Sequence, residues 1–376
     1  GSKLAHTFTN YVSNEDATCT ADGTETAKCE GCEERNTRTD EGSKLGHFFK
    51  TYASNEDATC TENGTKTAKC ERCDVTDTQV DVDSKLGHTK EETYFYQVKD
   101  GELYRVTLCS VCGKEAESVK VTENLVPVAT EADLKTALYA GYSVILEANI
   151  ELSGAIKLEN GQKVTIDLDG NTITADWIDE TGIVEVLWAY GAGTEVTITG
   201  NGAMVCGDKG YSTCVVSATD GAKVIIENGT FTSGGSACIY ATRGGEITIN
   251  DGTFSADELY YGVSYLLDIN EAEERGTIIV YGGSFKNFDP ANHTNDGANN
   301  TNKVADGYHS IKNGDSYVVS EHDYKTAVTD PTCEEEGYTT YTCKCGDTYT
   351  VVDEDSATGH KYDNDCDTTC NNEGCT

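Results

Sequence analysis

The segment DATCTADGTETAKCEGC at residues 16–32 recurs 41 positions later as DATCTENGTKTAKCERC at residues 57–73. A duplication this close constrains the chain strongly, because both copies must fold alike around the same few side chains. Residues 6–46 and 47–87 align without a gap and share 25 of 41 positions. The common frame is His-x-Phe followed by Cys-x9-Cys-x2-Cys-x14-His. Units of this size bury little apolar surface and need a staple. Three thiolates and an imidazole at these spacings suit tetrahedral zinc. The expected ligand sets are Cys19, Cys29, Cys32 and His47 in the first copy, and Cys60, Cys70, Cys73 and His88 in the second. Which histidine closes which set is open. The one after the cysteines is preferred, because the first copy then holds its ligand within its own unit. A disulfide plus a free thiol is the rival reading, although the chain total of 17 cysteines is odd.

The frame returns near the C-terminus as Cys333-x9-Cys343-x-Cys345-x14-His360, one residue short between the paired cysteines. His322-Asp-Tyr324 and His360-Lys-Tyr362 echo His6-Thr-Phe8 and His47-Phe-Phe49. A copy between His88 and Pro127 keeps Cys109-x2-Cys112 but lacks the first cysteine, and Lys99 and Pro127 align with lost ligands. It is expected to hold no complete metal site. Asp22-Gly23 and Asn63-Gly64 read as tight turns between Thr-rich strands. The chain begins inside a repeat and contains one methionine, Met204, so it reads as a fragment.

The middle of the chain changes character. ATEADLKTALYA at 129–140 reads as a short amphipathic helix with Thr130 as N-cap and Leu134, Ala137 and Leu138 inward. From Val164 to Phe285, VTIDLDGNTI, VTITGNGAM, VIIENGTF, ITINDGTF and IIVYGGSF recur at 23 to 32 residues. Each is a period-2 strand, a Gly corner and a second strand, which is the pattern of a stacked coil. Superposition gives two inward columns: Ile173, Met204, Phe231, Phe254 and Phe285, and Leu168, Ile198, Ile226, Ile249 and Val280. Cys214 and Cys238 coincide one coil apart, with Cys206 as the competing disulfide partner.

The Leu-Gly-His, Asp-Ala-Thr-Cys and Gly-Thr-x-Thr-Ala-x-Cys-x2-Cys pattern resembles the tandem cysteine-rich repeats of large surface proteins from gut Gram-positive bacteria. Residues 129–290 resemble the right-handed parallel β-helix class that includes pectate-lyase-like proteins. The expected fold class is therefore all-β, a right-handed parallel β-helix flanked by small metal-stapled β modules. The expected organisation is repeats at 1–47 and 48–88, a degenerate repeat at 89–127, the β-helix with capping helix and polar loop at 128–320, and a diverged repeat with the start of another at 321–376.

A net charge of −37 repels nucleic acid and anionic membrane and favours divalent cations, with structural zinc first and calcium second. No apolar run approaches the ~20 residues of a membrane span. An enzyme of the pectate-lyase-like class needs clustered acidic calcium ligands and a base. The outward column Asp167, Thr199, Glu227, Asn250, Tyr281 offers only two separated carboxylates, and His293 and His309 read as solvated. The expectation is a non-catalytic, monomeric segment of a secreted or cell-surface bacterial protein, a stalk or adhesin binding a host or dietary glycan or a host glycoprotein. Tyr260, Tyr261 and Tyr265 are the candidate sugar-stacking residues. The alternative is a polysaccharide lyase or glycoside hydrolase using the coil groove.

Overall fold

A computed structural model describes residues 5–177, 183–207, 212–235, 237–257, 264–269, 275–293, 302–365 and 368–372. The chain divides into two compact units, residues 1–94 with 106–118 and residues 95–105 with 119–376.

In the first unit the two copies repeat one plan. Thr24–Lys28 and Arg35–Thr39 form an antiparallel hairpin, and the short strand Val12–Ser13 joins the free edge. Ala53–Ser54, Thr65–Lys69 and Thr76–Val80 do the same 41 residues on. The Cys-x2-Cys segment is thus the hairpin turn. Asp22-Gly23 is a crossing rather than the expected turn between strands. A Cβ on Gly23 would lie 2.7 Å from the Ala17 nitrogen. The Asp16 carboxylate closes the crossing by accepting from the Thr24 N–H and hydroxyl, each at 2.6 Å. Lys90–Lys99, Glu102–Cys109 and Glu115–Lys120 make a third three-stranded sheet with a longer first hairpin. Among the described residues before His88, the buried side chains are only Cys19, Ala27, Cys29, Cys60, Ala68 and Cys70. These modules have almost no apolar core.

The second unit is the opposite case. Leu125–Val128, Ser143–Leu146, Lys163–Asp167, Glu195–Thr199, Lys223–Ile226, Glu246–Ile249 and Thr277–Val280 form one parallel sheet. A second runs from Ile150–Leu152 through Thr172–Ala175, Ala203–Cys206, Thr230–Ser233 and Thr253–Ala256 to Gly283–Lys286. A third contains Ile156–Leu158, Ile183–Tyr190, Ser212–Thr219, Ala237–Ala241 and Tyr265–Ile269. The chain visits the three sheets in turn, and each strand pairs with the strand one circuit earlier. Every circuit therefore buries its inner face on the next. Leu125–Val128 already belongs to the first sheet, so that sheet starts inside the stretch read as the third repeat.

The column Ile173, Met204, Phe231, Phe254, Phe285 is in register throughout. The last three rings stack, with centroids 5.1 and 4.9 Å apart. Glycine precedes each ring by two residues for a physical reason. At Gly252 φ is +131°, and a Cβ would lie 2.9 Å from the Gly229 carbonyl and 3.2 Å from the Phe254 ring. Two sequence expectations shift. In the other column Ile166, not Leu168, pairs with Ile198, because Leu168 has passed into the corner. Cys214 is out of step with Cys238, since Val216 pairs with Ile239. Both thiols and Cys206 are free and buried, and burial pushes Cys206 up to about 12.

The helix forms at Glu131–Tyr139, with Thr130 accepting from the Asp133 N–H and Leu134, Ala137 and Leu138 buried. Its inward face packs on the strands of the first circuit. At the far end, Ser316–Glu321 pairs antiparallel with Gly283–Lys286, and Tyr308–Asn313 follows it. The parallel stack thus closes on a hairpin. Tyr324–Thr329, Tyr338–Cys343 and Thr348–Val352 then form a three-stranded antiparallel module.

Truncating the central ring tests the column. Phe254→Ala should cost about 3–5 kcal/mol, read as a lower urea midpoint for loss of the second unit's strand signal. Val328→Ala, at a 72% exposed position, should stay within about 0.5 kcal/mol of the parent chain.

Candidate metal centres

The cysteines and histidines converge, but not within single copies. Four-ligand groups form from Cys19, His47, Cys70 and Cys73, from Cys60, His88, Cys109 and Cys112, and from His309, His322, Cys343 and Cys345. A three-residue group contains His6, Cys29 and Cys32. In each group the ligand atoms lie within 4.8 Å of one another.

Backbone pairing explains the first two. Leu45 donates to the Thr18 carbonyl at 2.9 Å, and Leu86 to Thr59 at 2.9 Å with Gly87 to Cys60 at 3.1 Å. The Leu-Gly-His segment is thereby laid against the first cysteine of its own copy. Gly46 and Gly87 adopt φ of +63° and +72°, a left-handed step that turns the chain into the following histidine. Beyond the histidine, the Phe48 carbonyl accepts from Glu71 N at 3.1 Å, and the Thr89 carbonyl accepts from Ser110 N at 2.9 Å. These bonds bring the next Cys-x2-Cys turn to the same point. The histidine is therefore the seam, with one cysteine from the copy before it and two from the copy after it.

The geometry matches a tetrahedral thiolate centre. Cys19 Sγ lies 3.8 Å from Cys70 Sγ, and Cys60 Sγ lies 3.8 Å from Cys109 Sγ. Two thiolates each about 2.3 Å from a tetrahedral ion are separated by about 3.8 Å; a disulfide would need about 2.05 Å. Nδ1 is the inward nitrogen, 3.3 Å from Cys73 Sγ in His47 and 3.4 Å from Cys112 Sγ in His88. Phe49 stacks on His47 at 5.7 Å, so His-x-Phe sets the ring plane. Burial raises Cys19 and Cys60 to about 11. Burial also opposes ionisation of Cys70, yet the Phe48 and Arg72 N–H groups and His47 bring it down to about 6. Cys109 is likewise brought down to about 5, against burial, by the Cys112 and Val111 N–H groups and His88.

These groups correct the sequence reading. Cys29 and Cys32 do not join Cys19 and His47, and Cys70 and Cys73 do not join Cys60 and His88. The third copy does supply a complete group, because Cys109 and Cys112 draw Cys60 from the copy before. Its missing cysteine corresponds to the one that would reach a following module. Cys343 and Cys345 do not share a group with Cys333 and His360. Their partners are His322 and His309, the latter expected to be solvated. His309 stands on the hairpin that closes the parallel stack, with Nδ1 3.7 Å from Cys343 Sγ, and His322 Nδ1 lies 3.4 Å from Cys345 Sγ. Cys333 and His360 lie with Cys370. Cys333 is disulfide-bonded, so this group differs in kind from the others. The frame repeated in the sequence could not reveal His309, because that residue belongs to no copy of it.

Six of the seven histidines are in these groups. The seventh, His293, stacks on Phe288 at 4.1 Å. Among the described residues, every such cluster consists of Cys and His without a carboxylate. Of the candidate sugar-stacking residues, Tyr260 and Tyr261 lie outside the described residues, and Tyr265 is half-buried on the third sheet. Comparison with protein-family models, curated proteins and solved structures returned no match. The Cys/His groups are compatible with structural metal on chemistry alone.

The shared seam makes a specific prediction about metal content. Cys19→Ser and Cys70→Ser should each remove the same single metal equivalent, and the double variant should lose no more. Cys29→Ser should leave that equivalent in place. Elemental analysis of protein purified without chelator checks all four.

Proposed function

We propose that this chain is a non-catalytic segment of a secreted or cell-surface bacterial protein. In this reading a right-handed parallel β-helix is carried with small modules joined by structural zinc. The observation that carries the proposal is the shared ligand set. Each four-ligand group draws on two successive structural elements, so its metal ties neighbours together instead of facing a substrate. Zinc suits groups made only of thiolates and imidazoles.

The charged residues on the coil support the same reading. Arg243 reaches Asp220 at 2.6 Å, and Asn250 donates to Glu227 at 2.9 Å. These two pairs lie on the surface and are explained by contacts between adjacent circuits. For target binding, the outer face of the third sheet is the better candidate surface. Trp188 stands there with the Lys157 ammonium 5.0 Å from its ring and Tyr190 edge-on at 5.7 Å. The half-buried indole, its N–H donated to the Thr219 hydroxyl at 2.9 Å, offers an apolar ring surface beside polar groups on which a sugar ring can pack. A glycan is therefore the favoured target.

Two measurements test this function. Binding to a panel of soluble glycans should occur without release of reducing ends or unsaturated product, and Trp188→Ala should weaken it by about 1–3 kcal/mol. Turnover of any panel member would overturn the non-catalytic assignment. Chelator should open residues 5–94 and 106–118 to protease while the parallel stack keeps its melting transition, because metal binding supplies folding energy to small modules. Equal protection with and without chelator would remove the staple.

A further inference from the structure

The first strand of the third sheet, Ile156–Leu158, is paired on one side only. On that side Lys157 is in register with Trp188, and its ammonium lies 5.0 Å from the indole ring. On the free side the capping helix meets it, because the Lys157 N–H donates to the Tyr139 hydroxyl at 3.3 Å. One exposed lysine is thus flanked by two aromatic side chains, and Tyr139 is itself exposed. Beside it lies a cleft of about 540 Å³ lined by Tyr139, Lys157, Glu159, Asn160 and Gln162. That size falls within the ~300–1,000 Å³ of small-ligand sites. Its wall is held in place by Gln162, which donates to the Leu138 and Tyr139 carbonyls at 3.0 Å each and accepts from Glu159 N at 3.0 Å. Asn160 donates to the Glu159 carboxylate at 3.0 Å. A ligand in the cleft would meet the Lys157 ammonium and the Tyr139 O–H as donors. It would meet the Glu159 carboxylate and the Asn160 side-chain carbonyl as acceptors.

We infer that this cleft is a subsite for an uncharged sugar residue, continuous with the Trp188 platform, so that Tyr139 and Trp188 together hold one neutral glycan chain. This rests on reading the Trp188 face as a glycan surface. The charges of the cleft select the class of sugar. A uronic acid would set its carboxylate against Glu159, in a chain whose net charge of −37 already repels polyanions. An amino sugar would set its ammonium against Lys157. A neutral sugar meets neither repulsion, and its hydroxyls can accept from Lys157 and donate to Glu159 at once. The apolar face of the same ring can pack on Tyr139, as a neighbouring residue does on Trp188.

The test titrates the full chain by calorimetry with cellotetraose, mannotetraose, maltotetraose, tetragalacturonate and a chitosan tetramer. At least one neutral tetrasaccharide should bind, and more tightly than either charged one. Tyr139→Ala should weaken that binding about tenfold, and Tyr139→Phe, which keeps the ring, should restore most of it. Glu159→Lys, at an exposed position, should weaken the neutral ligand about tenfold and improve binding of tetragalacturonate. Each variant is first shown to melt like the parent chain; if Tyr139→Ala does not, Tyr139→Phe and Glu159→Lys decide. Neutral binding that falls with Trp188→Ala but is indifferent to both Tyr139→Ala and Glu159→Lys would overturn the cleft and leave the glycan function standing. Tighter binding of tetragalacturonate or of the chitosan tetramer by the parent chain would overturn the neutral class. Absence of binding by every tetrasaccharide would overturn the glycan reading and the cleft with it.

Discussion

The cysteines and histidines of the first unit converge in groups that belong to no single module. Each 41-residue copy buries two cysteines and one alanine. Even generous area bookkeeping for those side chains falls well short of the ~1–2 kcal/mol that ordering each backbone residue costs. Metal coordination at the proposed sites would supply the difference. Shared across the seam, it would also make neighbours fold together. The peptide hydrogen bonds from Leu45 to Thr18 and from Glu71 to Phe48 join segments more than twenty residues apart. They place the sulfurs only because the Cys-x2-Cys turn sits at the end of a regular hairpin.

The parallel stack meets the same need for cohesion by another route. Its coupling is distributed over three ladders of backbone pairing and over continuous columns such as Phe231, Phe254 and Phe285. No single contact decides it. The helix at Glu131–Tyr139 covers the first circuit, and an antiparallel hairpin closes the last one. That hairpin is also where the two strategies meet. It carries His309, which stands where a cysteine stands in the first two seams and, with a metal bound, would tie the end of the stack to the module that follows.

Much of this was legible in the sequence, for identifiable reasons. Period-2 strands with Gly corners fix which residues stack, so the phenylalanine column could be aligned by eye. Leu168 and Cys238 were misplaced because a corner or a one-residue offset alters register without altering composition. Ligand types were legible because cysteine and histidine stand at constant spacing. Their grouping was not, since a spacing repeated in tandem fits ligands from one copy and from two adjacent copies equally well. The discriminating signal lay in the third copy. It keeps Cys109 and Cys112 after His88 but drops the leading cysteine. A self-contained site would have no use for that remainder, whereas a shared seam needs only those residues.

The shared arrangement changes what loss of one metal does. A self-contained site would release one module and leave its neighbours tied. If the seam built from Cys19, His47, Cys70 and Cys73 holds an ion, its removal would free both flanking hairpins from each other, while the Asp16–Thr24 and Asp57–Thr65 crossings are hydrogen-bonded independently of it. The modules would then keep local turns and lose their mutual orientation. Thiolates such as Cys70 and Cys109, held well below the ordinary cysteine range by N–H donors and a histidine, would be open to oxidation to the extent that this loss of orientation exposes them. On the metal reading the seams would be both the source of order in the first unit and a point of chemical vulnerability, while burial keeps the thiols inside the parallel stack protonated.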